Sequence, residues 1–272
     1  MTSSLPFRLL LVGDIVGKPG RDILRQALPR LVAREAIDFV VANVENAAGG
    51  FGITRETAEA ILASGVHVMT TGNHVWDKKE ALDYVAREPR LLRPLNYPPG
   101  APGRGEGVWT APDGTPVAVL NAMGRVHMPL VDDPFRALDD ALARVRGEAA
   151  IAIVDFHAEV TSEKIALAWH LDGRASLVAG THTHVMTADE RVLPGGTAAI
   201  TDVGMTGPHD SVIGVDKTAA IARFLHGLPT KFDTATGDVR LNAVRVDIDR
   251  ASGRALSIAR VTVTAADVAG WP

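Results

Sequence analysis

Five short segments of this chain carry side chains of the types that bind metal ions. Gly13-Asp14 supplies a carboxylate, Asn43-Val44-Glu45-Asn46 a carboxylate and amides, and Gly72-Asn73-His74 an amide and an imidazole. Asp155-Phe156-His157 adds a carboxylate and an imidazole, and Gly180-Thr181-His182-Thr183-His184 adds two imidazoles. Each segment alone has an ordinary structural explanation. Asp14 and Asn46 suit caps of helices or turns, Asn73 a tight turn after Gly72, His157 a hydrogen-bonded buried histidine, and the His182/His184 pair a strand end. Together they make a nitrogen and oxygen donor set with almost no competing cations, which suits Mn, Fe, Co or Zn. The chain has no Cys, so thiolate ligands, disulfides and cysteine nucleophiles are excluded. On one face of a strand, His182 and His184 would stand about 6.5 Å apart. Two ions about 3.5–4 Å apart would then take one ring each.

The elements that must position these residues are apolar runs alternating with amphipathic segments. Strands are expected at 7–12, 39–43, 67–71, 117–121, 151–156 and 177–180, most of them rich in Val and Ile as strands buried on both faces should be. Helices are expected at 21–36, 55–63, 78–87, 133–146 and 162–171, with Pro29 kinking or dividing the first. This alternation predicts an α/β layered fold with parallel pairing. The five polar segments then follow five strands on one edge of one sheet, where such folds place ligands. Farther on, a strand at 198–202 and a helix at 217–225 precede two longer strands, 239–249 and 255–264. Their turn-rich link at 249–253 predicts an antiparallel hairpin, and with it a second sheet or an antiparallel edge. The Pro/Gly-rich stretch near 93–116 is expected to be an excursion from a single domain spanning 1–272.

Composition narrows the function classes. The 272 residues are 46% hydrophobic and 22% charged, with a formal net charge of −4, so no global basic field is available to hold an extended nucleic acid. The run Leu9-Leu10-Leu11-Val12 is too short for a signal-peptide core and reads as a buried strand, and no apolar stretch has the length of a membrane span. A cytoplasmic protein is expected. Gly13 to Lys18 loosely matches a phosphate loop, but its spacing is one residue short and Pro19 stands where Ser or Thr should bind magnesium. Gly49-Gly50-Phe51-Gly52 is expected to form a tight loop at a cleft edge. Arg125, His127 and His209 are read as surface residues.

The order Asp, acidic residue with Asn, Gly-Asn-His, His, Gly-x-His-x-His resembles the calcineurin-like metallophosphoesterases, and in particular their YmdB-like branch. Gly13-Asp14-Ile15-Val16-Gly17-Lys18-Pro19-Gly20-Arg21, Asn43-Val44-Glu45-Asn46-Ala47-Ala48-Gly49-Gly50, Thr71-Gly72-Asn73-His74-Val75-Trp76-Asp77 and Gly204-Met205-Thr206-Gly207-Pro208 all look like signatures of that branch. The broader superfamily has a His where Val16 stands and a bridging Asp where Glu45 stands, and the branch shares both departures. The resemblance implies an αββα sandwich of the metallophosphoesterase type, with mixed sheets and C-terminal antiparallel strands. It also implies two divalent or trivalent metal ions per subunit, iron foremost, with manganese or zinc as alternatives. One ion would be held by Asp14, Glu45, Asn46 and His184, the other by Glu45, Asn73, His157 and His182, with Glu45 bridging. His74 would be the catalytic proton donor.

The implied activity is a phosphodiesterase that opens cyclic nucleotides, 2′,3′-cyclic AMP foremost, by in-line attack of a hydroxide held between the ions. The expected partner is a small phosphodiester, with no membrane and no extended nucleic acid, and the resemblance also points to a homo-oligomer. An alternative from another class is a metal-stabilised regulatory protein that binds nucleotide or RNA with vestigial hydrolysis. A metal-dependent amidohydrolase also uses His-x-His, but on the first strand of an eight-fold barrel, whereas this pair lies late and fewer than eight βα units are visible.

Overall fold

The computed structural model describes residues 5–271. Two sheets are packed face to face. The first contains strands β1 (Phe7–Val12), β2 (Asp14–Ile15), β3 (Phe39–Asn43) and β4 (Val68–Thr70), together with β11 (Met205–Pro208), β12 (Val239–Ile248) and β13 (Ala255–Thr264). Its order is β2-β11-β12-β1-β3-β4, with β13 on β12. The second contains β5 (Glu106–Thr110), β6 (Pro116–Met123), β7 (Ile151–His157), β8 (Leu177–Thr181), β9 (Arg191–Val192) and β10 (Ala198–Ile200), in the order β5-β6-β7-β8-β10-β9. Parallel pairs β1/β3 and β3/β4 form one side of the first sheet, with β12 antiparallel on the other side of β1, and parallel pairs β6/β7, β7/β8 and β8/β10 form the middle of the second sheet, flanked by antiparallel β5 and β9.

Strand periodicity separates the layers. Leu9, Leu11, Phe39 and Val41 point into the core between the sheets, against Val119, Ile153 and Leu177. Their neighbours Leu10, Val12, Val40 and Ala42 face the opposite way, onto helices α1 (Gly17–Glu35) and α2 (Arg55–Ala63). In the second sheet Leu120, Val154 and Phe156 face outward onto α4 (Pro134–Val145) and α5 (Thr161–His170). The result is the expected αββα sandwich, and it explains the continuous apolar runs, since each central strand is buried on both faces. Burying each Leu or Phe side chain contributes about 1.5–3 kcal/mol. The remaining helices are α3 (Ala81–Arg87), α6 (Lys217–His226) and α7 (Ala265–Gly270). Among the described residues, no helix is long and apolar enough to cross a membrane.

Several elements differ from the sequence expectation. Pro29 neither divides nor ends α1. Pro29 and Arg25, whose carbonyl the proline leaves without a helical partner, both lie on the exposed side, where the group faces solvent, while Ile23, Leu24, Ala27, Leu28 and Leu31 hold the buried side. The excursion near 93–116 contains β5, an antiparallel edge on β6. β11 was not anticipated, because Met-Thr-Gly-Pro has little strand propensity; pairing with β2 and β12 holds it. The hairpin β12/β13 forms as expected, its link closed where Asp249 accepts from the Ser252 amide at 2.9 Å.

Candidate metal centre

The polar segments converge at one end of the sandwich, but from two sheets rather than one. Asp14 follows β1, Glu45 and Asn46 follow β3 and Asn73 follows β4, whereas His157 ends β7 and His182 and His184 follow β8. All-parallel buried strands look alike in sequence, so the division into two sheets was invisible there. Close packing brings the two sets together. A Cβ on Gly72 would lie 2.1 Å from the His157 ring, and one on Gly13 would lie 1.8 Å from the Gly204 carbonyl oxygen, so both positions require glycine.

His157 Nε2 is the centre of the cluster. Glu45 Oε1, Asn73 Oδ1 and His182 Nδ1 each lie 3.0 Å from it. Glu45 and His157 are fully buried. Asp14 sits beside them with Oδ2 accepting from the His182 amide at 3.2 Å, while its Oδ1 is buried without a partner. Asn46 Nδ2 faces His184 Nε2 at 3.1 Å, and its Oδ1 is likewise buried and unpartnered. Orphaned buried acceptors are costly and uncommon. Here both belong to the donor set, and among the described residues Glu45, His157 and His182 form a group whose ligand atoms lie within 4.8 Å of one another.

The outer nitrogen of each histidine is already engaged. Thr181 has one hydroxyl proton, which it donates to Asp155 Oδ1 at 2.7 Å, so at 2.9 Å it accepts from His157 Nδ1–H. His182 Nε2–H donates to Glu159 Oε2 at 2.9 Å, and His184 Nδ1–H donates to the Ile213 carbonyl at 2.8 Å. These outer partners aim His157 Nε2, His182 Nδ1 and His184 Nε2 inward, the arrangement typical of metal-ligating histidines. Asp155 is itself anchored across the sandwich by Asn43 Nδ2 at 3.1 Å and by the Thr70 hydroxyl.

His182 and His184 do not share a strand face. β8 ends at Thr181, and both histidines adopt left-handed backbone, φ 97° and 66°. Asp202 fixes the residue between them: its Oδ2 accepts from the Thr183 amide at 3.1 Å and hydroxyl at 2.7 Å, and its Oδ1 from the Gly204 amide at 2.7 Å. Lys164, buried in α5, neutralises Asp202 at 2.7 Å. His182 thus presents Nδ1 and His184 presents Nε2, a loop solution to what the spacing alone assigns to a pleat.

Electrostatics fit a site built for positive charge. Burial works against charge on Glu45, but His157 and His74 outweigh it and hold the carboxyl at about 2. Burial likewise opposes charge on His157, yet Glu45 and then Asp14 push it up to about 9. Burial raises Asp14 to about 6 despite His184 and His157. Burial and the neighbouring His157 lower His182 to about 3, so it is neutral and its Nδ1 lone pair faces His157 Nε2 at 3.0 Å. In the metal-free protein the proton on His157 supplies the positive charge this cluster of acceptors demands. The donor set therefore suits metal cations.

His74 stands apart from that cluster. Its amide donates to Glu45 Oε2 at 3.0 Å, and its ring Nδ1 bonds Asp77 Oδ2 at 2.7 Å, leaving Nε2 to exchange a proton. It lines a cleft of about 320 Å³ with Glu45, Asn46, His182 and His184. Arg125 is exposed and pairs with Asp133, and neither it nor His127 lines the cleft. His209 is half-buried rather than superficial, bonded to the Gly207 carbonyl and Asn242. The sequence reading missed Thr181, Glu159, Lys164 and Asp202. Asp155, a lone carboxylate within the run Ile-Ala-Ile-Val-Asp-Phe-His, was the one signal available for this supporting network.

Comparison with known proteins agrees with this architecture. A family model described as YmdB-like protein matches residues 10–261. The 2′,3′-cyclic-nucleotide 2′-phosphodiesterase of Bacillus subtilis (strain 168) is 46% identical over 256 residues, covering 94% of this chain and 97% of that protein. Two crystal structures superpose over nearly their full length. A hypothetical protein from Thermus thermophilus gives a TM-score of 0.88 at 43% identity, covering 95% of this chain and 99% of that one. A novel phosphatase from Mycoplasma pneumoniae gives 0.89 at 32%, covering 96% and 95%. The match of fold, signature segments and near-complete length shows that this chain belongs to the YmdB-like protein family.

Proposed function

We propose that the protein is a two-metal phosphodiesterase that opens 2′,3′-cyclic nucleotides, 2′,3′-cyclic AMP among them. The observation that carries this reading is the ring of three donor atoms 3.0 Å from His157 Nε2, with Asp14 Oδ1 and Asn46 Oδ1 left as unpartnered acceptors beside it. One ion would be held by Asp14, Glu45, Asn46 and His184, and the other by Glu45, Asn73, His157 and His182. When bound, two such ions activate water as a nucleophile and neutralise the phosphoryl oxygens. The substrate class rests on the 46% identity to the Bacillus subtilis enzyme.

The side chains around the cleft perform the rest. Water adds to phosphorus and gives up one proton to solvent, the bond from phosphorus to a ribose oxygen breaks, and that oxygen takes a proton from His74 Nε2, which solvent then reprotonates, giving a nucleoside monophosphate without a covalent enzyme intermediate. Asp77 holds the His74 ring so that Nε2, not Nδ1, carries the transferred proton. Glu45 fixes the His74 backbone through Oε2, which ties the proton donor to the ligand cluster.

Chelated protein reconstituted with iron, manganese or zinc should hydrolyse 2′,3′-cyclic nucleotides, with products identified chromatographically beside a 3′,5′-cyclic panel. Inactivity of every reconstituted form on all cyclic nucleotides and simple phosphodiesters would overturn the reading, as would full turnover by His74→Ala and Glu45→Gln.

A further inference from the structure

The cleft is lined by two kinds of side chain: the polar Glu45, Asn46, His74, His182 and His184, and the apolar Val16, Phe51, Ile213, Val215 and Phe232. The polar side chains not already assigned to the metal cluster are mostly engaged elsewhere: Thr183 is bound to Asp202 and Glu159 to His182. Thr234 is the remaining polar side chain of the lining.

Two of the apolar lining residues, Phe51 and Ile213, stand in unusual backbone settings. Phe51 is 37% exposed on the loop Gly49-Gly50-Phe51-Gly52, whose three glycines have φ of 75°, 99° and 79°, so the backbone is fixed in a form that displays the ring. The Phe51 ring meets His74 edge-on, centroids 5.1 Å apart. Ile213 is a β-branched residue at φ 47°, a strained conformation. Its carbonyl holds His184 Nδ1 while its side chain, 53% exposed, stands on the cleft wall. One strained residue therefore serves both the metal-facing imidazole and the apolar wall.

We propose that these apolar residues form a nucleobase subsite, with Phe51 as its stacking platform and Ile213 and Phe232 as its other walls. The inference rests on the phosphodiesterase reading, because the occupant must join a planar apolar group to a phosphate held by the polar residues of the same cleft. A cleft of about 320 Å³ accommodates a small ligand of that kind and no protein partner. Stacking accepts any base, and one hydroxyl cannot read a base edge as a bidentate pair does. The enzyme is therefore base-tolerant: kcat/KM for the four 2′,3′-cyclic nucleotides falls within about tenfold.

The test compares wild type, Phe51→Ala and Phe51→Trp on cyclic nucleotides and on ribose 2′,3′-cyclic phosphate, which has no base. Loss of one stacking platform corresponds to about 5- to 150-fold per base. F51A should raise KM for 2′,3′-cyclic AMP and 2′,3′-cyclic UMP by about fivefold or more beyond that for the baseless ester, and F51W should restore it. Equal losses on both kinds of substrate, or a fall in kcat alone, would make Phe51 a prop for His74 and overturn the subsite. So would discrimination among bases above about 100-fold. Calorimetric binding of free adenosine and uridine judges the subsite without turnover: weaker binding to F51A than to wild type supports it, and equal binding overturns it. Failure of wild type to hydrolyse any cyclic nucleotide would instead fall on the phosphodiesterase reading.

Discussion

Thr181→Val probes the supporting network most sharply, because valine keeps the volume and deletes only the hydroxyl. That hydroxyl accepts from His157 Nδ1 at 2.9 Å and donates to Asp155 Oδ1 at 2.7 Å, and all three residues are buried. The substitution strands a buried donor and a buried acceptor, each costing about 1–3 kcal/mol, so the metal-free fold should lose about 2–6 kcal/mol. A second effect is specific to the site. With Nδ1 released, His157 is no longer held with Nε2 bare and inward, and loss of an outer partner typically weakens metal binding about 10–100-fold. Urea denaturation of the chelated protein reads the first effect, and metal titration the second. The weakened ion should be the one assigned to His157, while the ion assigned to His184 keeps its affinity. Thr181→Ser should recover both measurements. Lost stability with unchanged affinity for both ions would refute the argument that Thr181 sets the His157 tautomer.

Other substitutions test the remaining supports. Thr183→Val removes one hydrogen bond to Asp202 and should lower metal content with a stability loss of about 0.5–1.5 kcal/mol, whereas Thr183→Ser should behave as wild type in elemental analysis. His182→Ala and His184→Ala should each reduce the metal count, but at different ions, a difference visible by spectroscopy of the iron-loaded protein; identical residual spectra would collapse the two-ion assignment. Metal uptake at pH 7 should release protons, since His157 is pushed up to about 9 and must lose its Nε2 proton to bind. Apparent affinity should accordingly rise with pH toward about 9, and calorimetry in buffers of different ionisation heat counts the protons. For metal-free protein the sign runs the other way. A raised His157 stabilises the fold fully below its unfolded value near 6.5, and that contribution disappears as pH rises through about 9, a trend that denaturant midpoints should follow.

The fold was legible where burial dictates pattern. Phe7–Val12, Phe39–Asn43 and Ala255–Thr264 run between the residues their patterns mark, the first two because both faces are covered and the apolar run is unbroken. Polar residues at the ends of such runs stood out for the same reason, and the structure gathers Asp14, Glu45, Asn46, Asn73, His157, His182 and His184 at one end of the sandwich. What holds them in aim was not legible. Lys164 lies in an amphipathic helix and reads as solvated, yet packing beside Gly180 and the charge of Asp202 bury it. The Ile213 carbonyl that orients His184 is a backbone group, which no residue type announces. Strand ends can be found from local pattern, whereas partners supplied by distant elements depend on tertiary contact alone.

The placement of β12 has a consequence for how the chain acquires its site. β1 lies between β3, the next long strand in the chain, and β12, whose register pairs Val12 with Ala243. Until the last part of the chain is available, Phe7–Val12 is an open apolar edge, the kind of strand that invites pairing between molecules. His157, His182 and His184 also reach the site only once the second sheet has docked. During synthesis at about 5–20 residues per second, a nascent chain therefore carries Asp14, Glu45 and Asn73 for many seconds before their imidazole counterparts arrive. The proposed metal centre is consequently complete only after both sheets have formed, and a chain stopped before β12 leaves the apolar edge of β1 uncovered and prone to aggregate.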